Sequence, residues 1–183
     1  VVGFLLLPID PVRLVRSATL DVLDELGALL GELAIAIRAR DRDAVIDALV
    51  RARGLDDAIV SLTQAAGAGL EVATYSPLRR RRRGALLRYA HAAEQLDLAI
   101  RNVRVMARGA LRAVDLADNV PPDVIDAMHD LAAAVRALAP ALEDPLLARA
   151  AEEHAVRAAA AATRSLQSTA NLSTSAIVGQ VRS

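Results

Sequence analysis

The segment of residues 11–40, PVRLVRSATLDVLDELGALLGELAIAIRAR, decides the fold class of this chain. Pro11 suits the first turn of a helix, where the N–H that proline lacks would have no partner anyway. Apolar side chains recur at every third or fourth position, which is the spacing of one helical face. They are Leu14, Ala18, Val22, Leu26, Leu29, Leu33 and Ile37. The segment therefore predicts one long amphipathic helix.

The same periodicity continues in four further segments, at about residues 41–74, 78–117, 122–142 and 144–170. Proline-containing turn signals separate the later ones, and either Asp41 or Asp43 is a good N-cap for the second. Hydrophobic residues make up 54% of the chain and aromatic residues 2%, so alanine and leucine must form the core. With little β-branched or aromatic material for strands, we predict an all-α, up-and-down bundle of about five long antiparallel helices.

The two ends of the chain differ from the middle. Residues 1–10 carry no charge before Asp10, and we interpret them as the stub of an upstream membrane segment. They are too short to span a bilayer, which takes about 20 apolar residues, and they lack the positive start of a signal peptide. Residues 11–170 are then a soluble helical bundle domain, and residues 171–183 a tail leading towards a downstream membrane segment. The alternative for the first residues is a helix-packing arm of a soluble protein.

This interpretation raises a question of parity. Two ends that meet the same membrane face need an even number of helical passes, whereas the periodicity gives five. Either the fourth and fifth segments form one return path, kinked near residues 140–145, or residues 171–183 run back to the membrane.

Composition argues against several classes of function. The formal net charge is zero, with 22 basic and 22 acidic residues, whereas nucleic-acid-binding domains are usually strongly basic. The chain has no cysteine, which excludes disulfides, thiolate catalysis and cysteine-based zinc sites. It also has no Gly-x-Ser-x-Gly motif and no phosphate-binding glycine loop. We therefore expect neither enzymatic activity nor a cofactor, and no nucleic-acid partner.

A run of five arginines opens the third segment: Arg79, Arg80, Arg81, Arg82 and Arg83. Positive charge at a helix start opposes the helix dipole, so the run needs something negative nearby. If the first helix leaves a membrane and the second returns, this turn lies near the bilayer and contacts anionic headgroups. The alternatives are a solvated helix start balanced by carboxylates elsewhere, or a nucleic-acid contact.

A second basic set follows on the same helix. Arg101, Arg104, Arg108 and Arg112 are spaced three and four apart and share one face. Guanidinium groups bind carboxylates in bidentate fashion, so Arg101, Arg104 and Arg108 are candidates for an acidic ligand, with Tyr75 or Tyr89 stacking on it. The alternative is a solvated, ion-paired stripe, in which Asp97 and Asp115 are the nearby carboxylates.

Histidines and carboxylates also raise the possibility of a metal site. Di-iron bundles use Glu-x-x-His pairs with two further glutamates. The pairs here depart from that pattern, since one is reversed and the other uses aspartate, so surface histidines are the alternative. The residues concerned are His91, Glu94, Asp126, His129, Glu152, Glu153 and His154, with Glu25 and Glu32 as further ligands.

Several segments together resemble the cytosolic region of FUSC-type proteins, the fusaric-acid-resistance or aromatic acid exporter family. They are PIDPVRLVR (residues 8–16), ARDRD (39–43), ARGLD (52–56), SPLRRR (76–81), AIRNVRVMAR (99–108) and IVGQVRS (177–183). The resemblance covers nearly the whole chain but contains no catalytic signature. In that family the corresponding region lies in the cytoplasm between two transmembrane bundles.

The resemblance implies a cytoplasmic helical domain of a membrane efflux transporter, at the cytoplasmic face of the cell membrane. Its partners would be its own transmembrane domains, an anionic membrane surface, aromatic carboxylic acids and further copies of itself in a homo-oligomer. The domain would assemble or gate the transporter, or capture acidic aromatic substrate. The alternative is an independent helical module that binds protein or anionic lipid.

Overall fold

The structure is a computed structural model that describes residues 10–75, 83–168 and 172–181. These parts are helical and contain no strand: α1 (Pro11–Ala39), α2 (Arg42–Tyr75), α3 (Arg83–Asp115), α4 (Pro122–Glu143), α5 (Ala148–Ser168) and α6 (Leu172–Val181). A single 3₁₀ turn, Pro145–Leu147, precedes α5. The predicted all-α bundle with five long helices is confirmed.

Ion pairs between neighbouring helices show which helix ends lie together. Arg42 at the start of α2 pairs with Asp115 at the end of α3, and Arg164 late in α5 lies 3.9 Å from Asp123 at the start of α4. Consecutive long helices therefore run antiparallel. We call the end that carries residues 10–16, 70–75, 83–89 and 140–147 the near end of the bundle, and the end that carries residues 36–44, 112–126 and 162–168 the far end.

α1 is the central helix, because it packs against α2, α3 and α4. Its fully buried side chains extend well beyond the predicted stripe and include Leu23, Leu30 and Val15. The prediction that Leu14 belongs to the buried face is wrong, since Leu14 is 53% exposed. Val15 takes the buried position in that turn, so the contact face begins one residue later.

The turn between α1 and α2 shows how local chemistry sets helix bounds. Arg40 adopts the left-handed conformation, with φ of 55°, and its N–H closes the last turn of α1. Asp41, not Asp43, caps α2, because its carboxylate accepts a hydrogen bond from the Ala44 N–H at 3.0 Å.

α4 and α5 form an antiparallel hairpin. The Asp144 carboxylate accepts from the Leu146 N–H at 3.0 Å and caps the 3₁₀ turn that starts the return, while Pro140 lies inside α4 without ending it. The alternative in which the fourth and fifth segments form one kinked path is therefore wrong, because α5 packs alongside α4.

α6 packs on α3, α4 and α5, and its Ile177 and Val178 are fully buried in the common core. The packed unit thus extends to Val181, beyond residue 170, where the sequence analysis ended the bundle. None of the described helices is long and apolar enough to cross a membrane. The stub proposed for the first ten residues falls, except for Asp10, outside the described residues.

Candidate functional site

The three arginines of α3 that were predicted to bind a ligand differ in their partners. Arg101 is exposed and binds Asp97, one turn earlier on the same helix, at 2.7 Å. Arg104 reaches across to α2 and forms an ion pair with Asp56. Arg108 is exposed and has no partner among the described residues. Two of the three guanidinium groups proposed for a ligand carboxylate are therefore already bound to carboxylates of the chain.

Arg104 is the most enclosed of these side chains, with 25% of it exposed. Its Nε atom is buried and has no hydrogen-bond partner in the part of the chain that the structure describes. Nη1 of Arg104 donates a hydrogen bond to the Asp56 carboxylate, which neutralises the charge of the guanidinium group. This pair ties α2 to α3 midway along the bundle.

The predicted aromatic partners do not join the arginines. Tyr89 is buried, and it lies at the near end, about 18 Å along α3 from Arg101. There it neighbours Arg16, whose pKa is raised first by a hydrogen bond to Glu143 and by that carboxylate's charge, with Tyr89 adding a smaller effect. The Tyr75 side chain lies outside the described residues.

Most of the arginine run also lies outside the described residues, namely Arg79, Arg80, Arg81 and Arg82. Arg83 is described, and it is the exposed first residue of α3, at the near end. The C-terminal end of the run therefore lies at the same end of the bundle as the starts of α1 and α5.

Large apolar side chains are exposed at the same end of the bundle. Leu146 is 86% exposed in the 3₁₀ turn, and four other apolar residues at this end of the bundle are 46–53% exposed. These five residues, with the arginines given next, form what we call the near-end surface; the apolar members are Leu14, Val72, Leu87, Leu146 and Leu147. None of them was identified as exposed from the sequence, although Leu146 and Leu147 directly follow the Asp144-Pro145 turn signal, where an apolar side chain is not part of a helical face.

Arginines at the two ends differ in their pairing. At the far end, Arg38, Arg42 and Arg164 each lie within 4 Å of an aspartate on a neighbouring helix. At the near end, no carboxylate of the described residues pairs with three arginines: Arg13, Arg83 and Arg88.

The near-end carboxylates are mostly engaged elsewhere. Asp10 accepts from the Val12 N–H at 3.2 Å, Asp144 caps the 3₁₀ turn, and Glu143 binds Arg16. The near-end surface therefore combines exposed apolar side chains with three arginines that pair with no carboxylate of the described residues.

Several of the residues considered for a metal site are held in ion pairs. Glu25 and Glu32 both bind Arg51 of α2, and the hydrogen bond that Arg51 donates to Glu25 raises the pKa of Arg51 against the opposing effect of its partial burial. His154 lies 3.2 Å from Asp130, and His91 lies 3.8 Å from Glu94. Within the described ranges, no three histidine or carboxylate side chains converge as a metal site requires.

Comparison with known proteins gives one informative match. Over 127 residues, or 69% of the chain, the sequence is 28% identical to an uncharacterized protein of Corynebacterium glutamicum. The matched part spans about a third (33%) of that protein's length. No family model and no solved structure matches the chain.

Proposed function

We propose that this chain is a helical domain of a membrane efflux protein, and that the near-end surface rests on the membrane from which the protein works. The observation that carries the proposal is the presence of five exposed apolar side chains and three arginines unpaired among the described residues at the near end of the bundle. The sequence resemblance to the cytosolic region of FUSC-type proteins supplies the type of transporter. Its transport path would lie in membrane segments, and this domain would assemble or gate them.

The chemistry of the near-end surface suits an anionic bilayer. Each arginine near such a surface contributes about 1 kcal/mol of attraction, which decays within a Debye length. Exposed leucines add to this by entering the boundary between headgroups and acyl chains, as the apolar faces of interfacial helices do. Three of the far-end arginines, Arg38, Arg42 and Arg164, are already ion-paired, which favours the near end as the one that lies on the membrane.

A docking or assembly role has more support than capture of an acidic aromatic substrate. Arg101 and Arg104 are bound to Asp97 and Asp56, so a ligand carboxylate would have to displace a carboxylate of the chain. Tyr89 is buried and distant from both. Arg108 alone of the three remains available within the described part of the chain.

The proposal is tested by co-sedimentation of the purified chain with liposomes. We expect binding to vesicles that contain about a third phosphatidylglycerol, and much weaker binding to pure phosphatidylcholine. Changing Arg83→Gln and Arg88→Gln should each weaken binding about fivefold, since 1 kcal/mol per arginine corresponds to that factor. Leu146→Asp should weaken it further by removing an inserting side chain.

A matched control is available at the far end. Arg112→Gln and Leu116→Asp change an exposed arginine and an exposed leucine there, and both should leave liposome binding unchanged. Equal binding to neutral and anionic vesicles, or equal losses in the near-end and far-end variants, would contradict the proposal. The alternative of an independent lipid-binding module predicts the same liposome results. It differs in predicting no hydrophobic spans in the open reading frame on either side.

A further inference from the structure

α3 and α4 are separated by a gap. Both helices pack on α1 but barely touch each other. Towards the far end, α6 packs on both and fills the gap. Towards the near end the gap stays open as a groove of about 440 Å³. A further cavity of about 310 Å³ continues it as far as Gln180 and Val181 of α6.

The groove has apolar walls on three sides. Its floor is α1 and its walls are α3 and α4; the apolar lining residues are Leu23, Leu26, Leu96, Val135, Leu138 and Leu142. The two cavities share Leu26, Gln95, Ala99 and Val135, so they form one channel. Along α3 this channel runs from Arg88 to Met106, which is about 27 Å at 1.5 Å per residue. The space is therefore long and narrow.

Polar side chains line the groove along one edge. Arg88, His91 and Gln95 lie at i, i+3 and i+7 on α3 and therefore share a face. Arg88 stands at the near-end mouth and has no carboxylate partner among the described residues. His91 lies 3.8 Å from Glu94, and both of those side chains are largely exposed. One guanidinium group thus stands unpaired at the entrance to an apolar channel.

We infer that this groove binds a single-chain aliphatic carboxylate, with the carboxylate on Arg88 and the alkyl tail running along α1 towards α6. A guanidinium group binds a carboxylate through two parallel hydrogen bonds, so the headgroup is recognised by charge and geometry. Leucine and valine side chains give an alkyl tail apolar contacts along the groove, and the polar side chains of Gln95, Asn102 and Gln180 lie along the same path. An unbranched chain can follow a long groove of this kind more closely than a compact ring can.

This inference does not depend on the proposed membrane function, because its test uses soluble ligands and no bilayer. Hexanoate, octanoate and decanoate are titrated into the purified chain by calorimetry, below their critical micelle concentrations. Affinity should rise about threefold to fourfold for each added methylene, which is the gain for burying that group. Decanol, which has the tail without the charge, should bind at least tenfold more weakly than decanoate.

Variants separate the two parts of the site. Arg88→Gln should weaken decanoate binding about tenfold or more, whereas Arg112→Gln, an exposed arginine on the same helix away from the groove, should not. Leu138→Asp should abolish binding by placing a charge in the channel. Leu138 is 42% exposed, so this variant should fold, and Leu116→Asp, at a 58% exposed leucine of the far end, is its control.

Two outcomes would overturn the inference. The first is no binding of decanoate, or an affinity that does not change with chain length. The second is a chain that dimerises in analytical ultracentrifugation and becomes monomeric in Leu138→Asp, which would make the groove an interface between copies. A failure of the liposome experiment, in contrast, leaves the decanoate result unaffected.

Discussion

Gly27, in the middle of the central helix, is required by the close approach of α4. A Cβ atom at this position would lie 2.8 Å from Cγ of Arg136, which is too close for both to keep their places. Nη2 of Arg136 also donates a hydrogen bond to the Gly27 carbonyl at 3.0 Å. The glycine thus lets a cation of α4 pack on the backbone of α1.

Gly27→Ala should destabilise the chain by about 1 kcal/mol. Displacing Arg136 breaks a hydrogen bond from a charged donor, which lowers the free energy of unfolding by about 1.5–3 kcal/mol. The higher helix propensity of alanine raises it by about 1 kcal/mol, which offsets part of the loss. Gly54→Ala is the matched control, since nothing lies within 4 Å of its Cβ position in the middle of α2. It should stabilise by about 1 kcal/mol. Chemical denaturation measures both, and a stabilising Gly27→Ala would contradict the account.

At the level of secondary-structure elements, α5 is the least supported long helix. It packs on α4, on α6 and on the 3₁₀ turn. Its inward face consists of small side chains, with Ala158 and Ala162 fully buried. Asp130 of α4 binds the helix through Arg157 at 3.1 Å and His154 at 3.2 Å. Because alanines set the spacing between α4 and α5, a larger side chain there should push the helices apart.

Ala158→Leu should therefore cost about 1–3 kcal/mol, which is the usual penalty for overpacking a buried site. The loss should be local, because α5 can open without disturbing the central helix. Hydrogen exchange followed by mass spectrometry should show faster exchange in α5 and unchanged exchange in α1. Ala160→Leu changes an exposed alanine of the same helix and should have little effect. Faster exchange throughout the bundle in Ala158→Leu would show that α5 is part of one cooperative unit.

At the level of the whole molecule, stability is concentrated in α1. Leu33 is 1% exposed in the middle of the core, whereas Leu14 on the same helix is 53% exposed. Leu33→Ala should cost about 2–5 kcal/mol through lost burial and the cavity it leaves. Leu14→Ala should change the free energy of unfolding by less than about 0.5 kcal/mol. Urea unfolding followed by circular dichroism checks both, and similar costs at the two sites would argue against a central α1.

The sequence by itself determined the helical class, the number of long helices and most of their bounds. These depend on local properties: the spacing of apolar side chains, the Asp144-Pro145 turn and the proline-rich break before α4. For the same reason, the apolar periodicity predicted for the second and third segments includes side chains that are buried in the core, such as Leu62 and Ile100. Where two local signals were equally good, as with Asp41 and Asp43, the sequence left the choice open.

Tertiary structure decided which helix is central, which arginines are paired and where an open groove remains. Arg104 and Asp56 are 48 residues apart, and nothing local predicts that they meet. Leu14 and Val15 are equally apolar, and the angle at which α1 enters the bundle selects between them. The groove exists because α3 and α4 both pack on α1 without closing on each other. Contacts of this kind depend on how whole helices dock, which the spacing of residues along a single helix does not specify.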